Sequence, residues 1–327
     1  MKSICNKLAR AALSTLALCG ALHAHADAYP DRMVRLVVAY PAGGATDSAV
    51  RIVAQRLNNL WGQAVIVENK PGASGRVGMA QIAKSAPDGY TFVAVTNSTV
   101  SDELLQAGQS GAFSASRELT PVVTLFSTPV VLAANKSANV DSLANYIALA
   151  KSKPGTVSFG TSGQATATHF YGELLKREAG IDIIHIPFAG EGPNVTELLG
   201  GHITSSFISA SGAKKALPTG RVNLLAVTTP GRSPLLPNVP SFAELGIKGL
   251  DLDSWAGFLA PVGTPQPVIE KFAADVRQVL AQPDVVARFA ELGIVADGST
   301  PKELAARIQS DKNYWANAIK LTGITLQ

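Results

Sequence analysis

Two glycine-bearing loops have the composition to bind a small anion. The first, PAGGATD (41–47), follows an apolar run at 36–40, and the second, GTSGQATAT (160–168), follows the run VSF. Each loop precedes a segment that is predicted to be a helix. A glycine-rich turn at a helix N-terminus presents free N–H groups and the positive end of the helix dipole, which suits one carboxylate-sized anion. Two unrelated tight turns are the alternative.

Neither loop carries the signature of a nucleotide site. The first loop lacks the third glycine of G-x-G-x-x-G and the lysine of a phosphate-binding P-loop. Glu68, at the end of the next apolar run, stands beside Asn69 and Lys70, so it does not resemble an acid that binds a ribose. What remains is the general capacity of such loops to hold a small anion.

Two serines could act as nucleophiles, but their sequence context is poor. Ser211 and Lys214 match the S-x-x-K pattern of β-lactamases, without a partner S-D-N or K-T-G motif. Ser162 lies in GTSGQ, which is not the G-x-S-x-G of a nucleophile elbow. We expect both matches to be accidental.

The histidines do not have the spacing of metal ligands. His169, His185 and His202 form neither H-x-x-x-H nor H-E-x-x-H, and no cysteine follows residue 19. We therefore predict no metal site, and we expect His169 and His185 to pack within a helix and a strand.

Strand, loop and helix alternate along the chain, which predicts an α/β fold. Strands are predicted at 36–40, 64–69, 91–96, 157–160, 183–188, 203–208, 223–228 and 254–260. Thr46 or Asp47 is predicted to cap the first helix, and Thr300 and Glu303 form a capping box for the last. The proline-rich segment 228–240 is predicted to be a linker. Both glycine loops would follow the carboxyl ends of strands, where such sheets bind ligands.

The first 26 residues have the features of a secretory signal peptide. Lys2, Lys7 and Arg10 precede the apolar stretch 11–22, and AHA (24–26) is a cleavage site, with a cut after Ala28 as the alternative. The whole chain has 28 basic and 24 acidic residues; without 1–26 the net charge is +1. A basic surface for nucleic acid is therefore not expected, and the protein is predicted to be periplasmic.

Six segments, in order along the chain, resemble one family. They are YPDRMVRLVVAYPAGGATD, ENKPGASGRVG, SAPDGYT, FGTSGQATATHF, HIPFAGEGPNVTELLGG and RSPLLPNVPSFAELG. Together they resemble the Bordetella uptake gene receptors, the periplasmic solute-binding subunits of tripartite tricarboxylate transporters. The resemblance covers essentially the whole chain after residue 26.

The resemblance implies a type II-like periplasmic binding protein fold, with two doubly wound α/β domains around a ligand cleft and two crossing strands between them. Domain 1 would comprise 27–127 and 229–327, and domain 2 would comprise 128–228. Family ligands are small carboxylic acids, namely di- and tricarboxylates, some amino acids and aromatic acids. On this basis the first loop is expected to hold a carboxylate rather than a nucleotide.

The resemblance also implies which residues line the cleft. They are Tyr40, Pro41, Ala42, Gly43, Gly44, Ala45, Thr46 and Asp47 of loop one; Gly160, Thr161, Ser162, Gly163, Gln164, Ala165, Thr166, Ala167 and Thr168 of loop two; and Thr96, Asn97, Ser98, Phe188, Ala189, Gly190 and Ser209. Backbone amides, hydroxyls and ordered water would then supply the donors without an arginine clamp.

Three positions depart from the family pattern. Arg76 replaces a common asparagine; it would add a donor if it faced the cleft, and a solvated arginine is the alternative. Ala165 replaces a second glycine, which would narrow the pocket. Ile208 and Ser209 stand where the family often has Asp or Asn, so an acid that pairs with a ligand amine is expected to be absent. Amino acids are thereby disfavoured, and the flat apolar walls of Tyr40 and Phe188 leave aromatic acids open.

We therefore expect a receptor that captures a small carboxylate by closing about a hinge near Ser127 and Thr228. It would deliver the ligand to the transporter's membrane subunits as a monomer, without a reaction or a cofactor. A sensor that presents its ligand to a signalling kinase is one alternative. A hydrolase built on Ser162 or Ser211 is the other.

Overall fold

The structure is a computed structural model that describes residues 29–106, 113–164 and 166–324, without the side chain of Ser74. The predicted signal peptide and Ala165 lie outside the described residues.

Eleven strands and eleven α-helices alternate along the described chain. The strands are β1 (Val34–Val38), β2 (Val65–Asn69), β3 (Thr91–Thr96), β4 (Leu119–Thr128), β5 (Val130–Asn135), β6 (Val157–Thr161), β7 (Ile183–Pro187), β8 (Ser205–Ser209), β9 (Val222–Val227), β10 (Ser254–Pro261) and β11 (Val295–Ala296). The helices are α1 (Ala45–Trp61), α2 (Arg76–Ala83), α3 (Ser98–Leu105), α4 (Ala115–Glu118), α5 (Leu143–Ser152), α6 (Ala167–Ala179), α7 (Glu191–Gly200), α8 (Ala210–Ala216), α9 (Gln266–Leu280), α10 (Pro283–Glu291) and α11 (Pro301–Thr322). The predicted α/β fold is confirmed.

The strands form two sheets of similar design. Sheet A has the order β11-β4-β10-β3-β1-β2, and sheet B has the order β7-β6-β8-β5-β9. In each sheet the three strands that alternate with helices are parallel, and an antiparallel strand from elsewhere in the chain follows them. The late strand β10 lies between β3 and β4, so sheet A draws on both halves of the chain.

Both faces of sheet A are covered, as the continuous apolar runs require. Successive residues of β1 belong to different clusters: Leu36 packs in one cluster and Val37 in the other. The cluster that contains Val37 also contains Leu132 and Phe207 of sheet B. One hydrophobic core therefore joins the two sheets.

The two predicted helix caps have different outcomes. The capping box is confirmed, because Thr300 Oγ1 accepts a hydrogen bond from Glu303 N (3.2 Å) and Glu303 Oε2 accepts one from Thr300 N (2.7 Å). The cap by Thr46 or Asp47 is wrong: α1 begins at Ala45 after Gly44, with no side-chain cap. The carboxylate of Asp47 points back to the loop instead.

The proline-rich segment 228–240 packs on sheet B. Leu236 and Val239 are buried in a cluster with Val131 of β5, and Phe242 N donates to Val227 O (3.0 Å). The predicted domain boundaries at 127/128 and 228/229 stay predictions, and this packing places part of the expected linker with sheet B.

Candidate functional site

The carboxyl edges of the two sheets border one crossing of the chain. Thr96, at the end of β3, and Thr128, at the end of β4, both lie beside the start of β10. In sheet B, Val130 at the start of β5 pairs with Ser209 at the end of β8. Only Pro129 separates Thr128 from Val130, so the chain passes from sheet A to sheet B at this residue. The six loops that join a parallel strand to a helix, three in each sheet, lie at the two edges that meet here.

Loop one is shaped by a buried carboxylate. Asp47, whose side chain is 4% exposed, accepts hydrogen bonds from Gly43 N (2.9 Å) and Asn69 Nδ2 (2.9 Å) and pairs with Arg51 (3.0 Å). Burial alone would raise the pKa of Asp47, but these hydrogen bonds outweigh it and lower the pKa below its ordinary value. The charge of Asp47 is thus compensated inside the protein, and the carboxylate does not face the exposed glycines of the loop as a free anion.

Tyr40 joins loop one to the end of β3. Its hydroxyl accepts a hydrogen bond from Thr96 N (2.9 Å) and lies 2.9 Å from Thr96 Oγ1, which in turn lies 2.7 Å from Ser98 Oγ. Tyr40, Thr96 and Ser98 are half-buried. Three of the predicted site residues therefore form one hydroxyl-rich surface on sheet A.

Loop two is a network of short hydroxyl contacts. Thr166 Oγ1 donates to Gly163 O (2.7 Å), and Thr168 Oγ1 lies 2.9 Å from Thr166 Oγ1 and 3.2 Å from Ser162 Oγ. A Cβ at Gly160 would lie 2.2 Å from Asn194 Oδ1, so the strand must carry glycine there. The O–H of Thr166 is used by Gly163 O, so the half-buried hydroxyl of Ser162 is the hydroxyl donor that this loop can offer.

Two stacked histidines lie behind loop two. The rings of His169 and His185 are 3.7 Å apart and nearly parallel, and His185 Nε2 lies 2.7 Å from Thr161 Oγ1. Burial lowers the pKa of both histidines to about 4, and for His185 the charges of His169 and Lys176 act in the same direction. Both rings are therefore neutral at pH 7, and His185 holds the hydroxyl of Thr161.

A carboxylate that sequence reasoning missed lies at the third loop of sheet B. Glu191, the first residue of α7, accepts hydrogen bonds from Ser209 N (2.7 Å) and Ser209 Oγ (2.7 Å). Glu191, which α7 brings from a different strand, therefore stands beside Ser209; the expected absence of an acid that pairs with a ligand amine stays a prediction. An acid in the first turn of a helix is common for electrostatic reasons alone, so the segment AGEGP does not by itself indicate that Glu191 has a functional role.

The remaining predicted site residues fall into two groups. Ala42, Gly43, Gly44, Gln164 and Ala189 are exposed, and Phe188 and Gly190 are partly exposed. Thr46, Asp47, Asn97, Gly160 and Thr161 are buried. Asn97, for example, donates to Asp253 O (3.3 Å) and accepts from Ser254 Oγ (3.1 Å). In this conformation the buried group shapes the loops, and its direct ligand contacts stay predictions.

Arg76 forms an ion pair with Asp102, which lies on another helix of the sheet A half. Its Nη1 lies 3.9 Å from Asp102 Oδ2 on α3, and Gln106 Nε2 donates to the same oxygen (2.6 Å). Burial raises the pKa of Asp102, and the charge of Arg76 only partly opposes this shift. A ligand contact by Arg76 stays a prediction.

The edges supply neutral donors. Five of the six helices that follow the parallel strands have no side-chain cap, the exception being α8, where Ser209 accepts from Gly212 N (3.1 Å). Without such a cap, first-turn N–H groups can donate to an outside acceptor, and the loops also carry hydroxyls. The second loop of sheet A brings two cations, Lys70 and Arg76, which lie 3.9 Å from Glu68 Oε2 and 3.9 Å from Asp102 Oδ2. This chemistry suits a carboxylate.

The candidate catalytic groups are separated in space. Lys214 Nζ donates to Ala290 O, and Ser211 packs against Gly293. Ser162 contacts Thr168 rather than a base. Across 29–106, 113–164 and 166–324, no cluster of three His, Cys, Asp or Glu residues could hold a metal ion. The helices of these same ranges are all too short or too polar to cross a membrane.

Sequence comparison places the chain in one family. Residues 49–324 match the family described as tripartite tricarboxylate transporter family receptor. Protein BugT of Bordetella pertussis is 32% identical over 302 residues, which cover 92% of this chain and 93% of that protein. A UPF0065 protein from the tcbD-tcbE intergenic region of Pseudomonas sp. strain P51 is 32% identical over 294 residues, 90% of this chain and 87% of that protein.

Solved structures agree with this assignment. A protein of R. palustris solved with adipate has a TM-score of 0.79 and 29% identity, and the match covers 91% of this chain and 99% of that one. MatC from Rhodopseudomonas palustris with bound malate has a TM-score of 0.74 and 28% identity, with 89% and 100% covered. With its two sheets, its donor-rich edges and these matches, the chain belongs to the receptors of the tripartite tricarboxylate transporter family.

Proposed function

We propose that this protein is a periplasmic receptor that binds a small carboxylic acid between the carboxyl edges of its two sheets. It delivers the acid to the membrane subunits of a tripartite tricarboxylate transporter. The observation that carries the proposal is the set of five helix N-termini without a side-chain cap, from both sheets, beside loops that carry hydroxyls. The adipate and malate in the two R. palustris structures support the same ligand chemistry.

The ligand is held without chemistry being performed on it. Backbone N–H groups and the hydroxyls of Thr96, Ser98 and Ser162 donate to the carboxylate, while Tyr40 and Phe188 offer flat apolar walls. Domain closure about the crossing at Pro129 would bring the two edges onto the ligand. Closure also removes water, which strengthens each of these neutral hydrogen bonds.

Thermal unfolding with matched ligands tests this function. Each of a panel of aliphatic, tricarboxylic and aromatic acids is compared with its amide, which has nearly the same shape without the charge. An acid at about 100 times its dissociation constant should stabilise the protein by about 2.7 kcal/mol and raise the midpoint by several degrees. The acid should be recovered unchanged. Equal shifts with amides, or no shift with any acid, would refute the proposal.

A further inference from the structure

Glu191 is a carboxylate at the edge where the ligand is expected. It is half-buried, it follows Gly190 of the third loop, and both of its oxygens accept hydrogen bonds from Ser209. Ser209 ends β8 beside the crossing, so Glu191 belongs to sheet B's carboxyl edge rather than to the outer surface of α7.

The position of this carboxylate is tightly constrained. A Cβ added at Gly212 would lie 2.8 Å from Glu191 Oε1, so the first turn of α8 leaves just enough room for the carboxylate. Ser209 holds it with a backbone N–H and a hydroxyl at once. The negative charge is thereby fixed at one place on the edge.

No cation of the described residues neutralises this charge. The ion pairs found in 29–106, 113–164 and 166–324 do not include Glu191, and its two hydrogen bonds come from one neutral serine. A half-buried carboxylate without a cation attracts a donor and repels a second anion, and more strongly as water is excluded.

We propose that Glu191 determines specificity in the receptor proposed above: it selects acids that carry one carboxylate and, at the other end, an ammonium or hydroxyl donor. Loops one and two bind the carboxylate, and Glu191 accepts a hydrogen bond from the opposite end. A second carboxylate at that end would meet a fixed like charge, so dicarboxylic acids of the same length bind more weakly.

Two matched ligand series test this inference by calorimetry. One series is succinate, γ-hydroxybutyrate and γ-aminobutyrate, and the other is adipate, ε-hydroxyhexanoate and ε-aminohexanoate. In each series only the far end changes. The variant is Glu191→Gln, which keeps the shape and one acceptor oxygen. The control is Glu197→Gln, which removes an acid from the same helix at a partly exposed site bonded to His202.

We expect the wild type to bind a donor-bearing acid more tightly than the dicarboxylate of equal length. Glu191→Gln should shift that ratio toward the dicarboxylate by at least about tenfold, whereas Glu197→Gln should leave it unchanged. The wild-type ranking alone tests the inference should Glu191→Gln fail to fold.

The failures are distinguishable. If acids bind but the dicarboxylate ranks first in the wild type, or if Glu191→Gln leaves the ratio unchanged, Glu191 has no such role and the receptor function stands. If the wild type binds no carboxylic acid in either these series or the thermal panel, the proposed function falls and this inference falls with it.

Discussion

At the residue scale, two acids in the first turns of helices have opposite roles. Asp47 is enclosed by Arg51, Asn69 and the N–H of Gly43, so its charge is used within the protein. Among the residues that the structure describes, Glu191 has hydrogen bonds from Ser209 alone, and its charge lies at the carboxyl edge of sheet B. The sequence places both acids after a glycine loop. Arg51, four residues after Asp47, is a local partner that the sequence shows, whereas the contacts of Asn69 with Asp47 and of Ser209 with Glu191 depend on the fold.

The stacked histidines predict how stability depends on pH. An unfolded histidine takes up a proton near pH 6.5, but His169 and His185 in the folded protein do so only near pH 4. Between these values the unfolded state binds more protons, so the free energy of unfolding falls as the pH is lowered. It falls by at most about 1.4 kcal/mol per pH unit for each histidine.

Urea unfolding at pH 7 and pH 5 measures this effect. His185→Gln removes one titrating ring while keeping a hydrogen-bonding group for Thr161, so the difference in free energy of unfolding between the two pH values should shrink. His202→Gln, at a side chain that is 70% exposed, is the matched surface substitution with which the change in His185→Gln is compared. An unchanged difference in His185→Gln would show that this histidine does not titrate differently on folding.

At the element scale, the predicted strands that alternate with helices lie within a few residues of the observed ones. The run 91–96 matches β3, and 157–160 matches most of β6, because an apolar run buried on both faces is a strong local signal. Strands β4 and β5 were not predicted. Pro121 and Pro129 argue against a strand in this part of the sequence. In the structure, Pro121 is tolerated because it lies at a register shift in the ladder with β10, and Pro129 lies between the two strands.

Two helical glycines predict opposite effects of the same substitution. A Cβ at Gly172 of α6 would lie 1.9 Å from Phe159 Cε2, whereas a Cβ at Gly192 of α7 would have open space around it. Gly172→Ala should therefore destabilise the protein by about 1–3 kcal/mol through overpacking. Gly192→Ala should stabilise it by about 0.5–1 kcal/mol, since alanine loses less backbone entropy in a helix.

Chemical denaturation of the two variants against the wild type provides the measurement. Each variant serves as the control for the other, because both replace a helical glycine of the same half by alanine. Two shifts of the same sign would mean that helix propensity, and not the contact between α6 and β6, dominates at position 172.

At the scale of the whole molecule, the two halves share a core. Trp315 of α11 packs against Phe170 and Tyr171 of α6, with ring centroids 5.2 and 6.1 Å apart. Tyr171 Oη donates to Leu252 O (2.6 Å). These contacts join a helix that follows sheet B to elements that cover sheet A. The sequence predicted two sheets, but this junction depends on side chains that are more than 140 positions apart.

The shared core predicts that both halves unfold together. In a calorimetric scan we expect one transition, with equal calorimetric and van't Hoff enthalpies. Saturating carboxylate should move the whole transition upward without splitting it. Two separable peaks in the free protein would show that each sheet unfolds independently and that the contacts of α6 with α11 contribute little.

The position of β10 between β3 and β4 determines the order in which the two sheets can fold. Every strand of sheet B comes from residues 130–227, so its hydrogen bonds can close as soon as that stretch is available. The centre of sheet A stays open until residues 254–261 arrive to fill the gap. Sheet A, whose first strand is made first, is therefore completed last. Until β10 is in place, β3 and β4 have unpaired edges that can pair with other chains.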